Sequence, residues 1–284
     1  MSTRRRGAAS PARARRQSVL LLDVGNSRVK WALQRGPYRP RQPFAASGAI
    51  ELERLSRGGA VLLGLLQSLD PHLGIEACNV AGAVLERQLR AMVRAAGLRP
   101  PRFVRTSRAA AGVRNAYAQP WRLGADRWAA LIGARAEHPH RALCLVAIGT
   151  AMTIDLLDES GGHRGGSIIP GPKLMIEALL DNTAGIRRRA GGRNAAHRLP
   201  GGRIPLFARD TRGALAGGAV HAAAALIREA LGTAGAVLGR TPRLILSGGA
   251  ADAIGSLLRK PHGREDDLVL RGLAVLRSAR TQFE

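Results

Sequence analysis

Apolar residues in this chain recur at two spacings, one typical of strands and one typical of helices. The first strand pattern joins an apolar run, Val19–Leu22, to an alternating run, Val29–Leu33, through the small residues Gly25 and Asn26. Small turn residues between two such runs predict a strand, a tight turn and a second strand. Asp23 follows the first run directly, so a carboxylate lies at the carboxyl end of the predicted strand.

The same pattern returns in the second half of the chain. Ala142–Ile148 is an apolar run, Gly149 and Thr150 form the turn, and Met152–Leu157 is the second run. A repeated supersecondary unit indicates an internal duplication. The sequence therefore predicts two similar domains whose turns face each other across a cleft.

Strand-like and helix-like segments alternate through the rest of the chain, which predicts the α/β fold class. Helices are predicted at Ile50–Leu69, Val84–Ala96, from Leu123 to about Glu137, and at Lys173–Leu180, Thr211–Leu231 (with Gly232 as its stop) and Leu268–Arg280. Short strands are predicted within Glu76–Ala83 and at Arg102–Val104 and Leu244–Leu246; turns or loops are predicted at Arg35–Pro43, Gly165–Pro172 and Ile186–Arg203. We expect a disordered Arg-rich tail at 1–17, an N-terminal domain at 18–120 and a C-terminal domain at 121–284.

The turn after Asp23 has the chemistry of a phosphate-binding loop. Gly25 has no Cβ, so a backbone amide can approach a bound oxyanion, and Asn26 and Ser27 add short hydrogen-bonding groups. Asp23 is placed to hold a Mg²⁺ through water beside that oxyanion. On its own the turn is equally consistent with an ordinary hairpin capped by Asp23. The matching turn at Gly149 favours the phosphate interpretation, because two such turns can hold one nucleotide from both sides.

Other polar positions have both a structural and a functional interpretation. Asp126 lies in the first turn of a predicted helix, where a carboxylate caps free amides. It also lies next to Arg127 and after a loop containing Tyr117, so it could equally line a pocket. Thr183 either ends a helix or points its hydroxyl into the cleft. The glycines at 248–249 follow a predicted buried strand and leave room for a flat ring such as adenine.

Charge and composition limit the kinds of binding partner and the cellular compartment that we expect. A net charge of +24 suggests nucleic acid or an anionic membrane. Only three of the 44 basic residues are lysine, and the 41 arginines are spread over nearly every segment, which indicates a coding bias rather than a binding stripe. Cys78 and Cys144 have no CxxC spacing and are predicted to be buried, reduced thiols. The run before Asp23 is too short for a signal peptide and no stretch approaches the ~20 apolar residues of a membrane span, so we expect a cytoplasmic protein with no nucleic-acid or membrane partner.

Six motifs in series resemble those of type III pantothenate kinase. They lie between Val19 and the C terminus and read Asp23-Val-Gly-Asn-Ser, Gly124-Ala-Asp-Arg-Trp128, Gly149-Thr-Ala-Met-Thr-Ile-Asp155, Gly165-Gly-Ser-Ile-Ile-Pro-Gly171, Asn182-Thr-Ala184 and Leu246-Ser-Gly-Gly249. The resemblance implies two duplicated RNase H-like domains of the acetate and sugar kinase/actin superfamily around a nucleotide cleft. It also implies a homodimer in which the pantothenate pocket is completed at the interface.

The resemblance also implies a role for each matching residue. The first phosphate loop would consist of Asp23, Val24, Gly25, Asn26, Ser27, Arg28, Val29 and Lys30, with Asp23 serving Mg²⁺ and Thr150 contacting ATP from the second loop. Pantothenate would be held by Tyr117, Gly124, Ala125, Asp126, Arg127 and Thr183, with Asp126 as the general base. Such a carboxylate can accept the proton of a primary alcohol as the alcohol attacks the γ-phosphorus. Arg127 would keep Asp126 ionised and could itself hold the pantothenate carboxylate.

One position departs from the family pattern. Two residues before the second Gly-Thr turn the family often has an aspartate that coordinates a monovalent cation, K⁺ or NH₄⁺, and this chain has Ala147. Either the cation site is weakened, or a backbone carbonyl or water replaces the carboxylate.

We therefore expect an ATP-dependent kinase that phosphorylates the primary hydroxyl of pantothenate to 4′-phosphopantothenate, the first step of coenzyme A biosynthesis. The alternative is a catalytically reduced family member that acts as a regulatory or nucleic-acid-binding protein, which the charge and the missing aspartate at 147 would favour. A kinase or phosphatase acting on another small acid or on polyphosphate also stays open.

Overall fold

The computed structural model describes residues 18–52, 60–192 and 204–281. The predicted tail at 1–17 and residues 193–203 of the predicted basic loop lie outside this range. The strands are β1 (Val19–Val24), β2 (Arg28–Gln34), β3 (Ala46–Glu51), β4 (Gly74–Asn79), β5 (Arg102–Phe103), β6 (Ala109–Ala110), β7 (Val113–Arg114), β8 (Leu143–Ile148), β9 (Ala151–Leu157), β10 (His163–Pro170), β11 (Arg243–Ser247) and β12 (His262–Arg264). The α-helices are α1 (Ala60–Gln67), α2 (Ala83–Ala95), α3 (Ala125–Glu137), α4 (Pro172–Asn182), α5 (Ala184–Arg189), α6 (Thr211–Leu238), α7 (Ala251–Gly255) and α8 (Leu268–Thr281); a 3₁₀-helix lies at Pro120–Arg122.

Two five-stranded sheets have the same strand order, β3-β2-β1-β4-β5 and β10-β9-β8-β11-β12. In the first, β1 is antiparallel to β2, β2 is antiparallel to β3, and β4 and β5 continue in parallel on the other side. In the second, β8 takes the place of β1, β9 and β10 are antiparallel, and β11 and β12 are parallel. The internal duplication and the α/β class predicted from the repeated turn pattern are confirmed.

The contacts divide the chain into two compact units that are not contiguous in sequence. The first unit consists of Met1–Ala111, Gln119–Glu137 and Leu268–Glu284, and the second of Gly112–Ala118 and His138–Asp267. The predicted domains, 18–120 and 121–284, would put α3 and α8 in the second half of the molecule, whereas their contacts are with the first unit. Contiguous domains are the simplest inference from a linear sequence, and the return of the last helix is a non-local event that local pattern does not record.

α3 and α8 approach each other closely at two glycines. A Cβ built at Gly272 would overlap the carbonyl oxygen of Ala129, and one built at Gly133 would overlap that of Leu268. Small residues allow two helix backbones to approach where a larger side chain would hold them apart. The pair of glycines therefore fixes the packing of α3, the helix that carries Asp126 in its first turn.

We expect Gly272→Ala to lower the free energy of unfolding by about 1 to 3 kcal/mol, because the added methyl has no space beside the α3 backbone. Gly232→Ala is the matched control, since no atom lies within 4 Å of a Cβ built at Gly232 in α6. The control should be neutral or more stable by up to about 1 kcal/mol, the helix propensity difference between the residues. Urea denaturation of both variants measures the difference, and equal stability of the two would contradict the packing argument.

Glu137, at the end of α3, joins three segments of the first unit. Its carboxylate accepts hydrogen bonds from the Tyr38 hydroxyl, from the Arg41 backbone amide at 2.8 Å and from the Arg271 guanidinium at 2.9 Å. Glu137 is 5% exposed, and a buried carboxylate with several donors satisfies its hydrogen-bonding capacity. This contact fastens α3 and α8 to the irregular loop after β2.

Two sequence predictions of local structure are wrong at the sheet edges. The predicted helix at Ile50–Leu69 is wrong at its start, because Ala46–Glu51 forms β3 at the edge of the first sheet; residues 53–59 lie outside the described range, and α1 covers Ala60–Gln67. The predicted turn at Gly165–Pro172 is mostly β10, the edge of the second sheet, with a register shift between His163 and Gly166. Edge strands tolerate glycine and proline because one side makes no ladder hydrogen bonds. Their composition consequently resembles that of a loop.

One helix prediction and one loop prediction also need correction. α6 continues past the predicted stop at Gly232 to Leu238 and ends at Gly239, which has a left-handed φ of 71°. An interior glycine costs about 1 kcal/mol in a helix, which the burial of one face of α6 outweighs. Residues 186–189, the start of the predicted basic loop Ile186–Arg203, belong to the short helix α5.

α6 is the core helix of the second unit. Its buried residues pack with apolar side chains of the second sheet in one cluster that includes Val220, Ile227, Cys144 and Leu246. By length and composition alone α6 could also cross a membrane. A largely apolar helix that packs against a sheet meets the same criterion, so this observation does not identify a membrane span.

Candidate active site

The first predicted phosphate loop lies at the end of β1 in the first unit. The Gly25 amide donates a hydrogen bond to the carbonyl of Arg28 at 3.1 Å and closes the turn. In the sheet, Asp23 lies opposite Lys30 on β2 and beside Cys78 on β4. The hairpin thus brings Asp23 and Lys30, the first and last charged residues of the predicted loop, onto adjacent strands.

Asp23 is a perturbed carboxylate. Burial raises its pKa to about 6; the positive charge of Lys30 acts in the opposite direction, and the negative charge of Asp126 raises the pKa further. The Cys78 thiol also has a raised pKa, first because it is buried and then because Asp23 and Asp126 are both near. Asp23 and Asp126 are separated by about a hundred residues, yet the fold of the first unit places them close enough to interact. Strongly perturbed carboxylates are concentrated at functional sites.

Asp126 lies at the second position of α3. Its Oδ1 accepts the backbone amide of Arg127 at 2.8 Å, while the Trp128 amide donates to the carbonyl of Gly124 at 2.9 Å. Gly124 packs against the carboxylate, because a Cβ there would lie 2.6 Å from Oδ1. Asp126 therefore binds a helix-terminal amide, as the capping interpretation predicts, and also interacts with Asp23. The two interpretations are compatible.

The residues beside Asp126 are firmly held. The hydroxyl of Thr106 donates to the carbonyl of Leu123 at 2.9 Å, which fixes the segment just before α3. Arg127 is only 6% exposed, an unusual position for an arginine. The predicted group Gly124, Ala125, Asp126 and Arg127 thus lies in the same unit as the loop that begins at Asp23.

The second predicted phosphate turn belongs to the second unit. The Gly149 amide donates to the carbonyl of Ala151 at 3.0 Å, and the Gly171 amide donates to the carbonyl of Thr150 at 2.8 Å. A Cβ at Gly171 or at Gly248 would overlap a carbonyl oxygen of the turn, that of Gly149 or of Ile148 respectively. Glycine is therefore required at both positions because of close backbone approach. The strand order of the second sheet explains this close approach, because β10 and β11 end on either side of the turn between β8 and β9.

Two charged residues that form an ion pair, Arg264 and Asp266, hold the Ser247–Gly249 segment through its backbone. The sequence pattern did not predict this contact. Asp266 accepts the Gly248 amide at 2.8 Å, and Arg264 donates to the Gly248 carbonyl at 3.0 Å. Arg264 also binds Asp266 at 2.8 Å and Asp252 at 2.6 Å. The open space at Gly249 is consistent with the predicted adenine position.

Tyr117 lies in the second unit, whereas the predicted pantothenate residues Gly124, Ala125, Asp126 and Arg127 lie in the first. Its ring stacks on His163, with centroids 6.0 Å apart and planes inclined by 17°. His163 Nε2 donates to Asp155 Oδ1 at 2.9 Å. Sequence reasoning missed His163; Asp155 ended a recognised motif but was assigned no role. No local signal identifies the pair, because it depends on the pairing of β9 with β10.

Thr183 is the residue between α4 and α5. Its amide donates to the carbonyl of Leu179 at 3.0 Å, and its hydroxyl donates to the same oxygen. The helix-ending interpretation is therefore satisfied by the structure. Its predicted contact with pantothenate stays a prediction.

Within the described residues, no group of three or more His, Cys, Asp or Glu side chains could hold a metal ion. Ala147 lies in β8 where Asp23 lies in β1, one residue before the strand ends, and its ladder neighbours are Thr153 and Ser247. The first turn therefore has a carboxylate at its entrance, whereas the second has a methyl group flanked by two hydroxyl-bearing residues.

Two sheets of identical strand order, each with a glycine turn after its first strand, define the duplicated α/β fold of the actin-like ATPases and sugar kinases. Among solved structures, the chain is similar to a conserved Campylobacter jejuni protein described as belonging to the Baf family of transcriptional activators (TM-score 0.54, 18% identity, covering 93% of this chain and 100% of that one). It is also similar to MreB 5 of Spiroplasma citri bound to AMPPNP (TM-score 0.51, 11% identity, covering 94% and 97%). At such identities the likeness shows the fold alone.

Sequence comparison gives the family. The model of the type III pantothenate kinase family matches residues 19–232. The type III pantothenate kinase of Aromatoleum aromaticum is 40% identical over 262 residues, covering 91% of this chain and 97% of the relative. That of Burkholderia vietnamiensis is 40% identical over 259 residues, covering 90% and 95%. The chain belongs to the type III pantothenate kinase family, as its motifs predict, and is a phosphotransferase with an ATP-binding fold.

Proposed function

We propose that this chain transfers the γ-phosphoryl group of ATP to the primary hydroxyl of pantothenate, which yields 4′-phosphopantothenate and begins coenzyme A biosynthesis. The observation that carries the proposal is the interaction of Asp23 with Asp126 in the first unit. It places the carboxylate proposed to hold Mg²⁺ near the proposed base, in a chain that belongs to a pantothenate kinase family.

Asp126 is the proposed general base. Phosphoryl transfer leaves little covalent chemistry to the protein, which positions the alcohol and removes its proton. A carboxylate oxygen of Asp126 accepts that proton as the hydroxyl oxygen bonds to the γ-phosphorus and the bond to ADP breaks. Gly124, Ala125, Arg127, Tyr117 and Thr183 contact the rest of pantothenate in this proposal, with Arg127 as a counter-ion for a carboxylate.

The residues around Asp23 fit a magnesium ion. Mg²⁺ prefers oxygen ligands and is commonly bound through one or two carboxylates, waters and substrate phosphates, which agrees with a site that lacks a larger cluster of protein ligands. Asp23 would hold the ion, through water. When bound, Mg²⁺ neutralises charge on the phosphates. In this proposal Lys30 and the loop residues Val24, Gly25, Asn26, Ser27, Arg28 and Val29 contact phosphate oxygens, and Thr150 contacts ATP from the second turn.

Turnover of a substrate panel tests the proposal. Purified protein is incubated with Mg²⁺ and γ-labelled ATP together with pantothenate, sugars, acetate or polyphosphate, and phosphorylated product is separated from ATP. We expect label to reach pantothenate alone. Label in another acceptor, or no transfer to pantothenate at saturating ATP, would contradict the proposal. The structural similarity to the Campylobacter jejuni protein does not support the alternative of a regulatory protein, because it shows only a shared fold.

We further propose that the enzyme is a cytoplasmic homodimer whose pantothenate pocket is completed at the dimer interface. The family supports this assembly, and static light scattering measures it directly. A mass near twice the 30.0 kDa of one chain is expected. A monomeric mass at concentrations that support full turnover would contradict the shared pocket.

We expect turnover to be independent of K⁺ and NH₄⁺, because the Ala147 side chain supplies no oxygen and the neighbouring hydroxyl groups alone are weak ligands for a monovalent cation. Ala147→Asp should introduce activation by K⁺, since the strand position matches that of Asp23 and Ala147 is exposed. Ala147→Asn is the control of equal size without charge. Initial rates in KCl, NH₄Cl and choline chloride at one ionic strength make the comparison, and strong K⁺ activation of the unchanged protein would refute it.

A further inference from the structure

A buried histidine and carboxylate form a pair in the second unit that the proposed reaction does not use. His163 is 3% exposed and Asp155 is 4% exposed, and their side chains are joined at 2.9 Å. Within the described residues, the Nδ1 atom of His163 is buried without a hydrogen-bond partner. The bond from Nε2 to Asp155 is therefore what orients the imidazole ring.

One face of that imidazole meets the ring of Tyr117. The small inclination of the planes and the centroid distance of 6.0 Å describe an offset stack. Stacked aromatic pairs contribute energy beyond the area that they bury, and the geometry of one ring constrains the other. The Tyr117 amide also donates to Asn115 Oδ1 at 3.0 Å. Both the backbone and the ring of Tyr117 are thus fixed within the second unit.

The segment that carries Tyr117 is fastened to the turn between β9 and β10. The Arg114 amide donates to the carbonyl of Gly161 at 2.9 Å, and its guanidinium donates to Ser160 Oγ at 2.9 Å. Ser160 in turn donates to Asp158 at 2.7 Å, and the Gly162 amide donates to the same carboxylate oxygen at 2.8 Å. Residues 112–118 are therefore held at one end by this turn and at the other by His163.

We infer that Asp155 and His163 are positioning residues for pantothenate, because they hold the Tyr117 ring in the orientation in which it contacts the substrate; this inference rests on the proposed function. A buried hydrogen-bonded pair of this kind is costly compared with apolar residues of the same volume. The His163 ring stacks on Tyr117, which is proposed to contact pantothenate. Holding Tyr117 in place is a reason for the protein to bury this costly pair. The pair acts through Tyr117 and makes no contact with ATP in this scheme.

The test separates binding of pantothenate from every other step. His163→Ala should raise the KM for pantothenate by about three- to tenfold, the range expected from the loss of one aromatic pair, and should leave kcat and the KM for ATP nearly unchanged. Asp155→Asn should preserve the pantothenate KM, because its amide oxygen still accepts the Nε2 hydrogen. His138→Ala is the matched control, since His138 is another buried histidine of the same unit, paired with the partly exposed Glu265 at 2.6 Å; its pantothenate KM should not change selectively.

An unchanged pantothenate KM in folded His163→Ala would overturn the inference, as would equal losses in kcat and in both KM values. If His163→Ala does not fold, His163→Phe retains a ring against Tyr117 and should give a smaller rise in the same KM; no rise there overturns the inference too. Amide hydrogen exchange tests the positioning role without any measurement of turnover. Amides of residues 112–118 should exchange faster in the His163 variant than in His138→Ala, and equal rates would overturn the positioning role. Failure of the unchanged protein to phosphorylate pantothenate would instead overturn the proposed function.

Discussion

Asp126→Asn is expected to lower kcat for pantothenate phosphorylation by about 10²- to 10⁴-fold, the usual contribution of a general base. The amide has nearly the same shape and its oxygen can still accept the Arg127 amide, so α3 should begin as before. What the substitution removes is the ability to take the hydroxyl proton. The affinity for ATP, measured by equilibrium binding, should stay within about twofold because the base acts on the acceptor.

The matched control for this substitution is Asp210→Asn. Asp210 is the N-cap residue of α6 and also accepts a backbone amide, that of Gly213 at 2.8 Å, but it lies in the second unit and is exposed. A purely helix-capping role predicts equal and small effects for the two variants. Normal turnover by Asp126→Asn, or an equal loss in Asp210→Asn, would remove Asp126 as the base. A second readout is available, because the loss of the Asp126 charge should lower the pKa of Asp23.

The parts of the fold that sequence predicted well are those encoded by neighbouring residues. The turns at Gly25 and Gly149 follow apolar runs and are flanked by strands, so local spacing was sufficient to find them and to infer the duplication. The start of α3 was found in the same way. β3 and β10 were missed because edge strands are mostly exposed and carry little apolar pattern, and α8 was placed in the wrong half because its partner α3 is far away in sequence.

The residues of the candidate site also differ in whether local sequence can predict them. Asp23 was identified by its position after a strand, whereas Asp126 was identified through resemblance, since its local sequence favoured capping. The interaction between the two carboxylates depends on the return of α3 to the first unit, and no sequence pattern contains that information. His163 is a stronger example, because its role depends both on the pairing of β9 with β10 and on the docking of residues 112–118.

Asp23→Asn is expected to abolish most turnover and to stabilise the protein, two effects of opposite sign with one cause. The carboxylate should be needed to hold Mg²⁺, so kcat/KM should fall by about 10²- to 10³-fold. The same carboxylate is costly to ionise in the folded first unit. Its pKa rises from an ordinary value of 3.8 to about 6 through burial, despite Lys30 and with a further contribution from Asp126.

The sign of the pH dependence follows from that shift. A carboxyl group with a raised folded-state pKa binds its proton more tightly in the folded chain, so this group costs stability as pH rises through the interval between 3.8 and about 6. Below the interval the variant and the unchanged protein should be about equally stable. Above it Asp23→Asn should be more stable by about 1 to 3 kcal/mol, the upper value corresponding to two pKa units without screening by solvent. Denaturant midpoints at pH 4, 6 and 8 without Mg²⁺ measure the difference.

Asp158→Asn provides a control of opposite sign. Burial alone would raise the pKa of Asp158, but hydrogen bonds from Ser160, the Gly162 amide and Arg164 outweigh burial and lower it. Ionised Asp158 therefore contributes stability above its unfolded-state pKa, and this contribution is lost as pH falls through the folded-state value. The Asn variant should be less stable than the unchanged protein at pH 8, the reverse of Asp23→Asn. Added Mg²⁺ should raise the midpoint of the unchanged protein and not that of Asp23→Asn; destabilisation by Asp23→Asn at pH 8 without Mg²⁺ would show that the carboxylate serves the fold rather than the metal.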